Sequence, residues 1–240
     1  MEVIARPVLR RPDTGLVDGS ALAHEGASAW GYLLSKRALD IAIASVALVL
    51  LSPVFLLVAL VVRLDGRGPV IYRRRVASQN GHSPHPIDPK TVETFDAYKF
   101  RTMTPDADSV LVSDERLLSE YGENFKLEND PRVTRVGRFL RKSNLDELPQ
   151  FLNVLRGQMS VVGPRIVTPP ELEKYGPTAA RLLSVRPGMS GLWQVLRGDD
   201  HSYENRVEHD MAYIGCRTIW LDVRIVLMTV GLVLRMRGSG

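Results

Sequence analysis

An uncharged apolar run constrains this chain more than any other feature of its sequence. The run extends over residues 41–62, which are 22 consecutive residues without a charged side chain. At about 1.5 Å per residue, a helix of this length could cross the hydrocarbon core of a bilayer. Ser52-Pro53 lies at the midpoint, where proline removes a backbone hydrogen bond and kinks a helix. The run therefore predicts a membrane helix that either spans or is broken at this pair.

The charges that flank the run draw both of its ends to the same side of a membrane. Lys36 and Arg37 precede the run, and Arg63 and Arg67 follow it. Basic flanks stay on the cytoplasmic side, so both ends are expected there. A helix broken at its midpoint could enter and leave on one face, with the Ser52 hydroxyl bonding a freed backbone group. The residues alone do not decide between spanning and re-entry.

The second constraint is the adjacent carboxylate pair Asp146-Glu147, which follows a basic segment. Arginines occur at every third position from Arg132 to Arg141, which on helical geometry makes a basic stripe beside an apolar one. Such a stripe suits docking on an anionic membrane surface, or it is simply a solvated face. Asn144 and Glu147 have capping-box spacing, so the pair is predicted at a helix start. Spacing leaves open whether the pair does chemistry or only complements the helix dipole.

Three other segments carry candidate anion-binding groups. Lys99 and Arg101 alternate on one face of a predicted strand, where two cations suit a diphosphate or protect a sheet edge. Arg165 follows a Gly-Pro turn and could bind a phosphate with two donors. Arg186 and Gly188 flank a proline in a tight turn, which either exposes backbone N–H groups to an anion or is purely structural.

Composition limits the partners and the remaining domains. The net charge of +4 indicates an anionic partner but does not choose among membrane, nucleic acid and phosphate substrates. A single cysteine, Cys216, excludes an internal disulfide and a multi-cysteine zinc site. Residues 1–31 are rich in Gly, Ala, Pro and Ser and are predicted to be a flexible cytoplasmic tail. Three prolines mark residues 79–92 as an exposed loop.

Read together, five motifs resemble the bacterial sugar transferase family. They are Lys99-Phe100-Arg101-Thr102-Met103, Asp130-Pro131-Arg132-Val133-Thr134, Asp146-Glu147-Leu148-Pro149-Gln150, Ser160-Val161-Val162-Gly163-Pro164-Arg165 and Arg186-Pro187-Gly188-Met189-Ser190-Gly191. The resemblance runs in order from about residue 36 to about residue 234. Two departures stand out. Arg73-Arg74-Arg75 replaces the usual Gln-x-Arg, and Ile166 replaces a second proline.

The resemblance implies an architecture. The family consists of small monotopic phosphoglycosyl transferases, so the expected fold is α+β and mostly helical, with interfacial amphipathic helices around a small catalytic domain. Residues 32–65 would form a re-entrant membrane helix broken at Ser52-Pro53. Residues 66–240 would form the catalytic domain, with 79–92 as an inserted loop. The implied location is the cytoplasmic face of the bacterial inner membrane.

The resemblance also implies a reaction and its residues. The family transfers a sugar-1-phosphate from a UDP-sugar to undecaprenyl phosphate and releases UMP, the first membrane step of exopolysaccharide, O-antigen, capsule or glycoprotein glycan assembly. Asp146 would be the nucleophile and would carry an aspartyl-phosphosugar intermediate. Glu147 would help Asp146 hold Mg²⁺ or would orient the nucleophile. The residues expected to bind phosphate are Lys99, Arg101, Arg141, Arg165, Arg186 and Gly188.

Two other functions are weighed against this reading. A non-catalytic peripheral membrane-binding module would explain the apolar run and the arginines, but not the carboxylate pair with Lys99 and Arg165. A nucleic-acid-binding protein would explain the positive charge, yet it leaves the uncharged run without a role. The expected partners are therefore a UDP-sugar, undecaprenyl phosphate and the phospholipid bilayer, with no nucleic acid. The sequence leaves open the identity of the sugar and whether the chain forms a homodimer.

Overall fold

The computed structural model describes residues 21–79, 88–125, 127, 129–196 and 202–234. Helices dominate this part of the chain, which also contains two short sheets, so the expected α+β, mostly helical class is confirmed. The helices are α1 (Ala21–Leu50), α2 (Ser52–Leu64), α3 (Ala107–Ser113), α4 (Glu115–Asn124), α5 (Arg135–Ser143), α6 (Gln150–Leu155), α7 (Ala179–Leu183), α8 (Leu192–Leu196), α9 (Tyr203–Cys216) and α10 (Ile219–Leu234). The strands are β1 (Ile71–Ala77), β2 (Thr94–Phe100), β3 (Ser160–Val162) and β4 (Gly188–Ser190). Two 3₁₀ segments cover Leu145–Glu147 and Pro170–Thr178.

The first helix begins at Ala21 and includes residues 21–31 of the predicted flexible tail. This segment is rich in alanine, the strongest helix former, and it runs without interruption into the apolar segment. Residues 1–20 of the expected tail lie outside the described residues, as do residues 80–87 of the expected loop.

The chain bends at the predicted position, Ser52-Pro53. The segment Trp30–Leu50 and helix α2 are bent by 63° relative to each other. The Ser52 hydroxyl donates to the Val49 carbonyl at 2.8 Å, and Pro53 lies in the first turn of α2, where its missing N–H does no harm. Among the described helices, none alone is long and apolar enough to cross a membrane. The bent pair meets that criterion together, as a broken span or a re-entrant loop.

A buried polar network ties α1 to the rest of the fold. The Asp40 carboxylate accepts hydrogen bonds from the Ser160 hydroxyl and from the Val161 N–H, both at 2.9 Å. The Lys36 ammonium lies 3.4 Å from Asp40 and 3.3 Å from Asp222 of α10. Because buried carboxylates are costly without partners, these contacts fix α1 against β3 and α10.

Helix α2 packs directly beneath the carboxylate pair. Its buried side chains Val58 and Val62 form one apolar cluster with Phe100 of β2 and Leu140 of α5. Leu145 and Leu148, which bracket the carboxylate pair, pack against the same cluster. The second arm of the bent helix pair therefore supports the segment that carries Asp146 and Glu147.

Helix α6 is fixed to the open edge of β2 by one buried side chain. The Asn153 amide oxygen accepts from the Tyr98 N–H at 3.0 Å, and its amide nitrogen donates to the Asp96 carbonyl at 2.7 Å. Strand β2 pairs with β1 on its other edge, in antiparallel register with Tyr72 opposite Lys99. Since α6 begins soon after the carboxylate pair, this contact sets the distance between the pair and β2.

Candidate active site

The carboxylate pair lies in a 3₁₀ turn between two helices, so the predicted capping box is wrong. Helix α5 ends at Ser143, and Asn144 follows in the left-handed conformation with φ of 56°. In this geometry Asn144 terminates the preceding helix, and its side chain does not cap the following turn. Asparagine tolerates positive φ better than other non-glycine residues, which explains its place here. The turn leaves Asp146 buried and Glu147 partly exposed.

Strand β2 delivers a cation to both carboxylates. The Lys99 ammonium lies 2.5 Å from Glu147 Oε1 and 3.9 Å from Asp146 Oδ2. It therefore hydrogen-bonds Glu147 directly and acts on Asp146 mainly through its charge. Lys99, predicted to bind phosphate beside Arg101, thus lies against the carboxylate pair in the structure.

The two carboxylates differ in their proton affinity. Burial raises the pKa of Asp146 to about 6, and the negative charge of Glu147 adds to this effect, against the opposing charges of Lys99 and Arg141. Burial also acts to raise the pKa of Glu147, but the hydrogen-bonded Lys99, together with the charges of Arg165 and Arg74, holds that pKa below its ordinary value. Such a separation is typical of carboxylate pairs with distinct chemical roles. Glu147 is the fixed anion, and Asp146 is the more basic carboxylate.

Arg141 reaches the pair from the end of α5, as the sequence analysis expected. Its Nε donates to the Thr102 hydroxyl at 3.0 Å, and its positive charge lowers the pKa of Asp146. A close backbone contact sets this position, because a Cβ on Gly137 would lie 2.0 Å from the Thr102 carbonyl oxygen. Glycine is thus required where α5 crosses the segment that follows β2.

The predicted arginine stripe is divided in the structure. Arg135 and Arg138 are exposed on α5, whereas Arg141 turns toward the carboxylate pair. Arg132 is buried, with two of its nitrogens bonded to the two Asp130 carboxylate oxygens at 2.8 Å each. The stripe prediction missed this partner, which lies only two residues away.

Arg165 lines an open cleft beside the pair. The cleft has a volume of about 400 Å³, part of it open to solvent. Its lining residues are Arg74, Ala97, Lys99, Glu147, Arg165, Ile166, Gly188, Met189 and Gln194. The Arg165 guanidinium lies over the Trp193 ring, 5.4 Å from its centroid, and its Nε has no hydrogen-bond partner among the described residues. Its backbone N–H donates to Asp210, which fixes the loop in which Ile166 replaces the usual proline.

Two of the predicted phosphate-binding groups, Arg101 and Gly188, make structural hydrogen bonds, and a third, Arg186, makes none within the described residues. The Arg101 guanidinium donates to the carbonyls of Val62, Gly66 and Arg67, and so it caps the exit of α2. The Gly188 N–H donates to the Pro164 carbonyl at 2.8 Å and is therefore unavailable to an anion.

The third of these groups is the Arg186 side chain. It makes no hydrogen bond or ion pair with any residue in the described ranges. The glycine at 188 is required for a different reason, since a Cβ there would lie 2.1 Å from the Gly163 nitrogen, where β3 and β4 pair. Gly188 is therefore required for packing, and the phosphate-binding role of Arg186 stays a prediction.

Sequence reasoning missed Arg74, which also lines the cleft. The alternation of β1 separates Arg74 from its exposed neighbours Arg73 and Arg75. In a run of three arginines on a strand, the middle side chain lies on the opposite face from the other two, which indicates a different role for it. The register of β1 and β2 decides which face lines the cleft, and the sequence does not show that register.

The donor set fits Mg²⁺ only together with a substrate. Within the described ranges, no group of three or more His, Cys, Asp or Glu side chains is arranged to hold a metal. Asp146 and Glu147 supply two carboxylates, and protein sites commonly bind Mg²⁺ through one or two carboxylates plus substrate phosphates and water. These residues therefore match a metal that arrives with, or is completed by, a diphosphate.

The chain is similar to a known protein family and to several named proteins. The bacterial sugar transferase family matches residues 31–236. The chain is 44% identical over 210 residues to the exopolysaccharide production protein ExoY of Rhizobium meliloti. The aligned residues make up 86% of this chain and 88% of that protein. It is 40% identical over 208 residues to the undecaprenyl-phosphate galactose phosphotransferase of Salmonella typhimurium, with 85% of this chain and 41% of that protein covered.

A third relative is the UDP-glucose:undecaprenyl-phosphate glucose-1-phosphate transferase of Escherichia coli, at 38% identity over 205 residues, with 82% of this chain and 39% of that protein covered. The chain thus spans most of the first relative and about two fifths of the other two. The match extends from α1 to the end of α10 and includes the carboxylate pair, Lys99 and Arg165. The chain therefore belongs to the bacterial sugar transferase family and is a phosphoglycosyl transferase.

Proposed function

We propose that the protein transfers a sugar-1-phosphate from a UDP-sugar to undecaprenyl phosphate and releases UMP, as a membrane step in exopolysaccharide assembly. The observation that carries this proposal is the buried Asp146, with its pKa raised to about 6, beside the cations Lys99 and Arg141. The names of the relatives support the substrate classes, since they include undecaprenyl-phosphate transferases and an exopolysaccharide production protein.

The first half-reaction forms a bond to Asp146. A carboxylate oxygen of Asp146 attacks the β-phosphorus of the UDP-sugar, and the bond from that phosphorus to the bridging oxygen breaks. UMP leaves with the electron pair, and the sugar phosphate stays on Asp146 as an acyl phosphate. In the second half-reaction an oxygen of undecaprenyl phosphate attacks the same phosphorus and Asp146 departs as a carboxylate. Dividing the transfer in this way means that two bulky anions need not occupy the site together.

Asp146 suits the nucleophile role better than Glu147. Its carboxylate is 3.9 Å from Lys99 and is not held in a hydrogen bond to it, whereas Glu147 is bonded at 2.5 Å. A pKa of about 6 leaves Asp146 largely ionised at neutral pH and more basic than an ordinary aspartate. Asp146 and Glu147 would hold Mg²⁺, which when bound offsets the charge of the diphosphate.

Exposed apolar side chains support a membrane position for the site. Val49, Leu50, Leu56 and Leu57 of the bent helix pair are more than half exposed. Large apolar side chains are normally buried, so such a patch marks a surface that contacts a membrane or a partner. Trp220 and Leu227 are similarly exposed on α10. A re-entrant hairpin in the cytoplasmic leaflet would cover these residues and bring the carboxylate pair, which packs on α2, to the level of the lipid phosphates.

Replacement of the nucleophile tests the reaction. Asp146→Asn should lower UMP release at least about 1,000-fold, because loss of a covalent nucleophile removes the bond-forming group. Glu147→Gln should also be severely impaired but should still bind the UDP-sugar. Detergent-solubilised protein with UDP-glucose or UDP-galactose, undecaprenyl phosphate and Mg²⁺ provides the assay. Glu173→Gln, which changes an exposed carboxylate, should stay near wild type. Wild-type rates in Asp146→Asn would remove Asp146 from this role.

The acidic limb of the rate profile tests the ionisation of Asp146. At fixed, saturating Mg²⁺, kcat/KM should rise about tenfold per pH unit below about 6 and then level off, since only the ionised carboxylate attacks. Lys99→Gln should move this limb to higher pH, because the ammonium lowers the pKa of Asp146. Lys142→Gln, at an exposed lysine, is the matched control. A limb that does not move in Lys99→Gln would contradict the assignment.

Cysteine labelling tests the membrane topology. In a Cys216→Ser background, Ser35→Cys and Arg67→Cys lie at exposed positions on the two sides of the bent helix pair. An impermeant thiol reagent should label both in inverted vesicles and neither in intact cells. Leu50→Cys, at the bend, should resist labelling in both preparations. Labelling of Ser35→Cys in intact cells would show that the segment spans the membrane.

A further inference from the structure

Arg74 projects from β1 into the cleft beside the carboxylate pair. It stands opposite Ala97 in the β1–β2 register, and both residues line the cleft together with Lys99 and Glu147. The small Ala97 side chain leaves room on the cleft side of the strand pair. The Arg74 charge is felt at the pair, since it contributes to the lowered pKa of Glu147.

A buried glutamate fixes one end of the Arg74 side chain. Arg74 Nη2 lies 3.3 Å from Glu171 Oε2, and the Glu171 side chain is only 3% exposed. The same Oε2 accepts the Thr168 N–H at 2.6 Å and the Thr168 hydroxyl at 2.8 Å. The carboxylate is therefore held independently of Arg74. The Nε and Nη1 groups of Arg74 make no hydrogen bond with any residue in the described part of the chain, so they are available to a ligand.

The other cations near the pair are differently engaged. Lys99 is hydrogen-bonded to Glu147, and Arg141 is bonded to Thr102. Arg165 shares the cleft with Arg74, and its Nε is buried without a described partner. Two guanidinium groups with unused donors thus line the same cleft, which opens beside the nucleophile. Planar guanidinium groups match the geometry of phosphate oxygens.

We propose that Arg74, positioned by Glu171, binds the donor diphosphate together with Arg165 and contacts the phosphoryl group that leaves with the nucleotide. This inference rests on the proposed function. The phosphoryl group under attack must lie at Asp146, beside Lys99. The neighbouring phosphoryl group then extends into the cleft, where Arg74 and Arg165 supply charge-assisted hydrogen bonds to its developing negative charge.

Binding of inorganic pyrophosphate tests the contact without assuming a nucleotide or a sugar. Titration calorimetry on the detergent-solubilised full chain with Mg²⁺ should show binding weakened at least about tenfold in Arg74→Gln, the loss expected for one charge-assisted hydrogen bond. Arg73→Gln removes the same charge from the exposed face of the same strand and should change binding less than about twofold. Equal losses in the two variants would overturn the proposal, because they would show an effect of net charge alone.

A second variant separates binding from folding. Arg74→Gln leaves the buried Glu171 without its cation, so a loss of binding could reflect local unfolding. The double variant Arg74→Gln/Glu171→Gln removes the uncompensated charge and should unfold at the wild-type temperature while still binding pyrophosphate at least about tenfold more weakly. Wild-type affinity in this folded double variant would refute the contact.

The two readouts keep this inference apart from the proposed function. Release of UMP from UDP-sugars reports the proposed reaction, and pyrophosphate affinity reports the Arg74 contact. If the wild type releases UMP and the Arg74→Gln variant binds pyrophosphate as tightly as the wild type does, only the contact is refuted. Wild-type protein that binds pyrophosphate through Arg74 but releases no UMP from any UDP-sugar would refute only the reaction.

Discussion

The ion cluster of Lys99 with Asp146 and Glu147 is the interaction on which the rest of the site depends. One ammonium serves two adjacent carboxylates, at 2.5 Å from Glu147 and 3.9 Å from Asp146. Burial raises the pKa of Asp146, whereas the close Lys99 ammonium helps to hold the pKa of Glu147 below its ordinary value, so the two carboxylates differ in proton affinity.

Two buried polar anchors hold this cluster in place. Asn153 bonds α6 to the edge of β2, so the turn that bears the carboxylates and the strand that bears Lys99 keep a fixed separation. The network of Lys36, Asp40 and Asp222 attaches the first arm of the bent helix pair to β3 and α10. The second arm packs beneath the carboxylate turn. The bent helix pair and the carboxylate turn are thus connected through one set of packed contacts.

Local patterns in the sequence predicted the parts that depend on local physics. The proline at the midpoint of an apolar run indicated the helix break. The strand alternation grouped Lys99 with Arg101, but the structure takes Lys99 to the carboxylates and Arg101 to the end of α2. The failures involve partners distant in sequence. Arg101 and the Gly188 N–H donate hydrogen bonds to backbone carbonyls, which no sequence motif indicates. The inward position of Arg74 depends on the register of β1 and β2. The capping box failed for a local reason, since Asn144 favoured the left-handed end of α5 over the start of the next turn.

The covalent intermediate is the central claim, and intact-protein mass spectrometry tests it most directly. Protein mixed with UDP-glucose or UDP-galactose and Mg²⁺, without lipid, should gain the mass of one hexose phosphate. The adduct should be absent in Asp146→Asn, and added undecaprenyl phosphate should discharge it. If the wild-type mass does not change, and steady-state kinetics require both substrates to be bound together, the lipid phosphate attacks the donor directly and the two-step account is wrong.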